Sequence, residues 1–245
     1  MPTYNCADFI SSAIDSVLNQ TIKNWELIIV DDCSNDNTDL VVQNYQKSNS
    51  NINYIKLRKN SGAAVARTKG IYLSHGKYVA FLDSDDLWNE RKLEKQIGFM
   101  QKNDVDFSCT GYGQIDENGN VLDKVFMPPK FINYHKALFL GNPIGNLSVI
   151  YNQENLGKFD VPKIKKRNDF ALWLKILRKT DYCYGLSLNL ASYRIRSDSL
   201  SRNKLSVLKY HWELYRKYEH LSMIRSIYYV LCLFFNKALK KYKIR

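Results

Sequence analysis

Two short apolar runs, each ending in carboxylates, constrain this chain more than any other feature. Glu26-Leu27-Ile28-Ile29-Val30 runs into Asp31-Asp32, and Tyr78-Val79-Ala80-Phe81-Leu82 runs into Asp83-Ser84-Asp85-Asp86. Runs this short and this apolar read as strands buried on both faces, the habit of a parallel sheet covered by helices. The stretches around them carry helical spacing. Ala7 to Gln20 aligns Ile10, Ala13, Ile14, Val17 and Leu18 on one face, and Thr38 to Lys47, Gly62 to Ser74 and Arg91 to Lys102 read as further helices. Ile52 to Leu57 is a third strand. Strands alternating with helices predict an α/β fold with a mostly parallel sheet. In such sheets ligands gather at the carboxyl ends of the strands, so the two acidic clusters are expected to share one crevice.

Beyond residue 105 the pattern loosens. Asp116 to Asn120 predicts a hairpin tip, Leu147 to Tyr151 a strand, and Asp169 to Arg178 a strongly apolar helix. With no internal repeat or low-complexity linker, the reading is one domain with a C-terminal appendage. The five cysteines (6, 33, 109, 183 and 232) are odd in number and form no CxxC pair, which argues against a disulfide framework or a zinc site and for reduced thiols. The opening residues carry no signal-peptide pattern, and the apolar run Ile227 to Phe235 is far short of the ~20 residues a spanning helix needs. A cytoplasmic protein is expected.

Asp83 and Asp85 are the strongest local chemistry. Hard cations such as Mg²⁺ and Mn²⁺ favour carboxylate oxygens, and Mg²⁺ is commonly held by one or two carboxylates together with substrate phosphates. Taken alone, two aspartates around a serine are more often a polar turn. Their position after a buried strand favours a site.

Four motifs in order carry a resemblance: Pro2-Thr3-Tyr4-Asn5, Val30-Asp31-Asp32-Cys33-Ser34, the set Asn60, Gly62, Ala66 and Arg67, and Phe81-Leu82-Asp83-Ser84-Asp85-Asp86. Together they resemble the family 2 glycosyltransferases of the GT-A fold, a Rossmann-like nucleotide-binding architecture, of the bacterial cell-envelope polysaccharide type. The likeness continues through Gly157-Lys158-Phe159-Asp160, Asn168-Asp169-Phe170-Ala171-Leu172-Trp173, Tyr193-Arg194-Ile195-Arg196 and Ser199-Leu200-Ser201. It covers residues 1–201, read as the catalytic domain, and leaves 202–245 as a basic amphipathic helical tail.

The resemblance implies an inverting, metal-dependent hexosyltransferase that takes a sugar from a nucleotide-diphosphate donor, with UDP expected. It implies that Tyr4, Pro2 and Thr3 wall the nucleotide base, that Asp32 accepts from the base N–H, and that Arg67 braces the acidic cluster. Asp83 is expected to contact the nucleoside and Asp85 to bind Mn²⁺ or Mg²⁺. Asp169 is expected to be the base that deprotonates the acceptor hydroxyl. Each role has a plainer competitor: a core-capping tyrosine at Tyr4, a structural Asp31, or an Asp169 that only favours a helix N-terminus.

Three departures stand out. Asn168 replaces the first acid of the usual pair. Arg196 stands where relatives carry a histidine; an arginine cannot ligate metal but can neutralise a diphosphate, so Arg196, with Arg194 beside it, is expected to clamp the leaving group. The family places an apolar strand ahead of the Pro-Thr-Tyr-Asn motif, so the sheet is expected to lack its first strand, with upstream residues supplying it.

From Arg202 onward there are eleven Lys and Arg against two Glu, so nine of the net +12 lie in that stretch. Met223, Ile224, Ile227, Val230, Leu231, Phe234 and Leu239 recur at near-helical spacing there. Such a helix either lies in the interface of a membrane's inner face, suiting a saccharide or lipid-linked acceptor, or packs on the domain with its charges solvated. Nucleic acid is not an expected partner, because the acidic crevice would repel it. A non-catalytic nucleotide-sugar binder and a sugar nucleotidyltransferase remain the competing readings; the latter normally needs a glycine-rich basic loop early in the chain.

Overall fold

The computed structural model describes residues 1–196 and 204–238. Ser199-Leu200-Ser201 and Leu239 lie outside the described residues. The first half is a run of βα units: β1 (Pro2–Thr3), α1 (Ala7–Leu18), β2 (Leu27–Asp31), α2 (Thr38–Ser48), β3 (Ile52–Lys56), α3 (Ala63–Leu73) and β4 (Tyr78–Ala80). The short β5 (Leu87–Trp88) leads to α4 (Lys92–Lys102). The second half returns through β6 (Phe107–Ile115), β7 (Val121–Phe126), β8 (Phe131–Ile132), α5 (Tyr134–Leu140), β9 (Val149–Asn152), α6 (Gln153–Leu156), α7 (Asn168–Ile176) and β10 (Cys183–Arg194). Helices α8 (Lys204–Glu213) and α9 (Met223–Ala238) close the described chain, joined through a π-helical turn, Leu214–Tyr218.

The strands form two sheets. β1, β2 and β3 are parallel, in that order. The second sheet runs β4-β9-β6-β10-β5, with β7 on β6 and β8 on β10. Its β6–β10 pairing is parallel and the others are antiparallel. The expected mostly parallel character holds for β1–β3 and the β6–β10 pair, while the rest of the second sheet is antiparallel, including the β6–β7 hairpin with its tip at residues 116–120. Two-residue pieces such as β5 and β8, and the long β10, have no clear alternating pattern and were not legible as strands.

The first strand needs a correction. Two of its residues are present and pair with β2 in register Pro2↔Val30 and Thr3↔Asp31. Among the described residues β1 pairs only with β2 and β4 only with β9, so the two sheets stay separate. A cavity of about 650 Å³ opens between them, lined by Leu27, Ile28, Ala66, Gly70, Val79 and Phe81 among others. The Met1 α-amine donates to the Ile28 carbonyl at 2.8 Å, and burial pushes its pKa from 8.0 down to about 5.

The larger core forms around α7, whose Phe170, Ala171, Leu172, Trp173, Leu174 and Ile176 are all fully buried. Trp173 meets Phe81 edge-on at 5.1 Å. Each of the leucine, isoleucine and phenylalanine side chains contributes ~1.5–3 kcal/mol on burial, so the position of this helix is firmly set. Leu214 and Tyr215 belong to the same cluster, which makes the start of the expected appendage part of the core. Beyond it, α9 packs on α5.

Candidate active site

One buried arginine joins the second acidic cluster to α7. Arg67 donates through Nη2 to Asp83 Oδ1 at 2.6 Å and through Nη1 to Asn168 Oδ1 at 2.5 Å. Asn146 adds a third contact, its Nδ2 donating to Asp83 Oδ1 at 3.0 Å. The Arg67 side chain is only 9% exposed, and burial works against its charge while Asp83 and Asp169 favour it, with a net upward pKa shift. A planar fork with several donors suits this bridge; a lysine could not span both partners.

Asp169 stands in the first turn of α7, where Asn142 Nδ2 donates to its Oδ2 at 3.0 Å. The residue before that helix, Arg167, takes a left-handed backbone (φ 69°), turning the chain so that Asn168 faces Arg67 and Asp169 faces Asn142. A second cavity, about 190 Å³, lies beside this point between Tyr112, Phe126, Met127, Asn142 and Pro143.

The strand-end acids divide by role. Asp31 is fully buried and accepts from Ser34 N–H and O–H and from Tyr54 O–H, so it holds the turn. Asp32 accepts from the backbone N–H groups of Ser61 and Gly62, both at 2.7 Å, and so pins the loop that starts α3. Gly62 has φ 89°, which a side chain would strain. The opening motif is tied to the β2–α2 loop: Asn5, Cys6 and Ala7 N–H donate to Ser34 Oγ, Thr38 Oγ1 and Asp36 Oδ2. Thr3 is buried with an unpartnered Oγ1, while Pro2 is half-buried and Tyr4 largely exposed.

Asp86 is buried and accepts the Arg194 backbone N–H at 3.0 Å. Burial and the neighbouring Asp85 and Asp83 raise its pKa well above the ordinary carboxylate value; burial and Asp83 raise that of Asp85. Arg196 lies 3.5 Å from Asp85 Oδ2, with its guanidinium over the Phe9 ring at 4.8 Å. Arg194 differs. Its side chain donates to the main-chain carbonyls of Asp85, Asp116 and Glu117, fastening the acidic turn to the β6–β7 hairpin. With Nε and Nη1 committed to backbone carbonyls, it has a structural role that sequence reading did not foresee.

Residues 1–148 match the family model described as Glycosyl transferase family 2. The chain belongs to this family. It is 43% identical over 225 residues to TuaG of Bacillus subtilis (strain 168), named for teichuronic acid biosynthesis, covering 92% of this chain and 89% of that one. It is 38% identical over 232 residues to the Escherichia coli UDP-Glc:alpha-D-GlcNAc-diphosphoundecaprenol beta-1,3-glucosyltransferase WfgD, covering 94% and 89%. The crystal structure of S. aureus TarS 1-349 in complex with UDP-GlcNAc superposes with a TM-score of 0.71 at 19% identity, over 95% of this chain and 70% of that one. The fold is therefore the α/β architecture of a glycosyltransferase, with a C-terminal helix. Of the residues that build this site, Asn142, Asn146 and Phe9 escaped sequence reading. An asparagine-rich loop (Asn142 to Asn146) was the only signal for the first two.

Proposed function

We propose that this chain transfers a hexose from a UDP-sugar to a hydroxyl of a lipid-linked saccharide during cell-envelope polysaccharide synthesis, with inversion at the anomeric carbon. The observation that carries the reading is the Arg67 bridge, which sets the acidic turn and the Asp169 helix against each other across one crevice. The relatives supply the substrate classes.

The nucleoside would lie between the Pro2-Thr3-Tyr4 wall and Asp32, whose carboxylate has lone pairs beyond the two taken by backbone. Asp85, with Asp83 two residues away, offers hard oxygen donors whose mutual repulsion and burial call for positive charge, so these residues fit Mn²⁺ or Mg²⁺. Such a cation, when bound, supplies charge neutralisation to the diphosphate. Arg196 would add its own charge on the same side. Asp169 would accept the proton of the acceptor hydroxyl as its oxygen attacks, and Asn142 orients that carboxylate. The pocket lined by Tyr112, Phe126, Met127 and Asn142 would hold the acceptor sugar, whose apolar face suits an aromatic wall.

Release of UDP from UDP-glucose and UDP-N-acetylglucosamine, with Mn²⁺ or with EDTA, tests this in wild type, Asp85→Ala and Asp169→Asn. Asp169→Asn should bind UDP normally yet lose transfer by about 10²-fold or more, and Asp85→Ala should lose the metal response. Binding of UDP-sugars with no turnover under any condition would turn the reading into that of a non-catalytic binder.

A further inference from the structure

Helix α9 carries apolar residues on both of its faces. Its inward face carries buried Ser226, Cys232 and Asn236 beside Tyr229, Val230 and Leu233, with Asn236 Nδ2 donating to the Phe139 carbonyl and Leu233 set against Gly141. The opposite face presents Ile224, Ile227, Tyr228, Leu231 and Phe235 to solvent, Ile224 at 81% and Phe235 at 65% exposure. The spacing of three and four puts these five on one arc of about 100°. Packing on the domain covers the inward face and leaves the outward apolar one without a partner. A contiguous exposed apolar patch of this kind marks an interaction surface.

Charge decides what covers it. The segment from residue 202 onward holds eleven basic residues and two acids. Both acids are already engaged: Glu219 is buried against Arg178 at 2.7 Å and Tyr134, and Glu213 pairs with Lys217 at 3.4 Å. A second copy would bring the same positive segment against this one. An anionic bilayer complements it, with apolar side chains entering the acyl boundary and basic ones at the headgroups. We propose that α9 docks this protein on an anionic membrane surface through its outward apolar face. The helix does not span: among the described residues none is long and apolar enough to cross a membrane. Its position suits the reaction. Phe139, which it contacts, is three residues from Asn142, the partner of Asp169, so the docked helix is tied to the segment that reaches the proposed catalytic base.

The inference stands on α9 alone, and its test needs no sugar transfer. The full chain is mixed with vesicles of phosphatidylcholine alone or with about one third phosphatidylglycerol and floated on a density gradient. Wild type should float with the anionic vesicles, less so in high salt, and Ile224→Asp with Leu231→Asp should weaken this at least about tenfold. Their melting temperatures should match wild type, because both side chains are exposed. Protein that stays at the bottom with anionic vesicles, or variants that float as well as wild type, would overturn the proposal. A dimer in sedimentation equilibrium that Leu231→Asp dissociates would overturn it too, assigning the face to a second copy.

Discussion

Replacing Arg67 tests whether one side chain holds the two halves of the crevice together. Arg67→Met removes both charge-assisted bonds and leaves Asp83 with Asn146 alone. Breaking a buried ion pair from one side costs about 3–5 kcal/mol. The Asp83 side chain is 29% exposed, so water recovers part of this, and about 2–3 kcal/mol is the better expectation. In a chain of this size that lowers the melting temperature by roughly 4–12 °C. Arg67→Lys keeps the charge and one partner, so about half the loss follows. Activity should suffer more than stability. Asp169 and Asp83 are registered through this guanidinium, and a displacement of about 1 Å at reacting groups costs ~10²-fold in rate. Thermal unfolding by circular dichroism and UDP release on the same preparations measure both. The reasoning is refuted if Arg67→Met melts within about a degree of wild type, or if it turns over donor at the wild-type rate.

Two further outcomes follow from buried groups away from the chemistry. Lys92 is fully buried, hydrogen-bonded to Gln96 and set over the Trp88 ring; burial lowers its pKa from 10.5 to about 7. Between those values the unfolded chain holds a proton that the folded one lacks, so stability should rise with pH from about 7 to 10.5 and be flat below. Lys92→Met should melt higher than wild type at pH 7, with the gap closing by pH 10; a gap independent of pH would contradict the assignment. The cavity between β2 and β4 predicts that about five apolar residues fused ahead of Met1, the length of β2, raise the melting temperature, whereas a Gly-Ser extension of equal length does not. Burial at ~1.5–3 kcal/mol per side chain exceeds backbone ordering at ~1–2 kcal/mol per residue, so a gain of a few kcal/mol is expected, and equal melting of the two fusions would rule out strand pairing there.

How much of this was legible depends on the range of the interactions. The βα units were readable because apolar periodicity and strand-end acids are local, and the helix at Asn168 was visible from its apolar run. Arg67, Asp83 and the helix that carries Asp169 are linked by side-chain bonds, and Asp32 pins the loop that starts the helix of Arg67. What sequence could not show is which partner each polar atom takes. Arg194 looked like a clamp because it neighbours Arg196, yet its bonds run to carbonyls 77 to 109 residues away. The tail was readable as amphipathic, but spacing does not say which face turns inward. In α9 the face with Ser226, Leu233 and Asn236 does, because Asn236 finds a carbonyl there and Gly141, with no side chain, admits Leu233.

The backbone around the crevice explains why so few side chains suffice. Asn5, Cys33, Asn142 and Arg167 all adopt positive φ, one in each of four loops that frame the site. Asparagine tolerates this conformation well, whereas Cys33 and Arg167 carry the strain, of order 1–3 kcal/mol each. Against a total stability of ~5–15 kcal/mol that cost is substantial, and it persists only if the surroundings over-determine it. They do: Asp31 fastens the turn at Cys33 through Ser34, and Arg67 fastens the chain just after Arg167 through Asn168. The two most strained turns are thus each locked by a buried charge. Asp169 and the acidic turn are therefore held in place before any substrate arrives, so that donor and acceptor need not spend their binding on assembling the site.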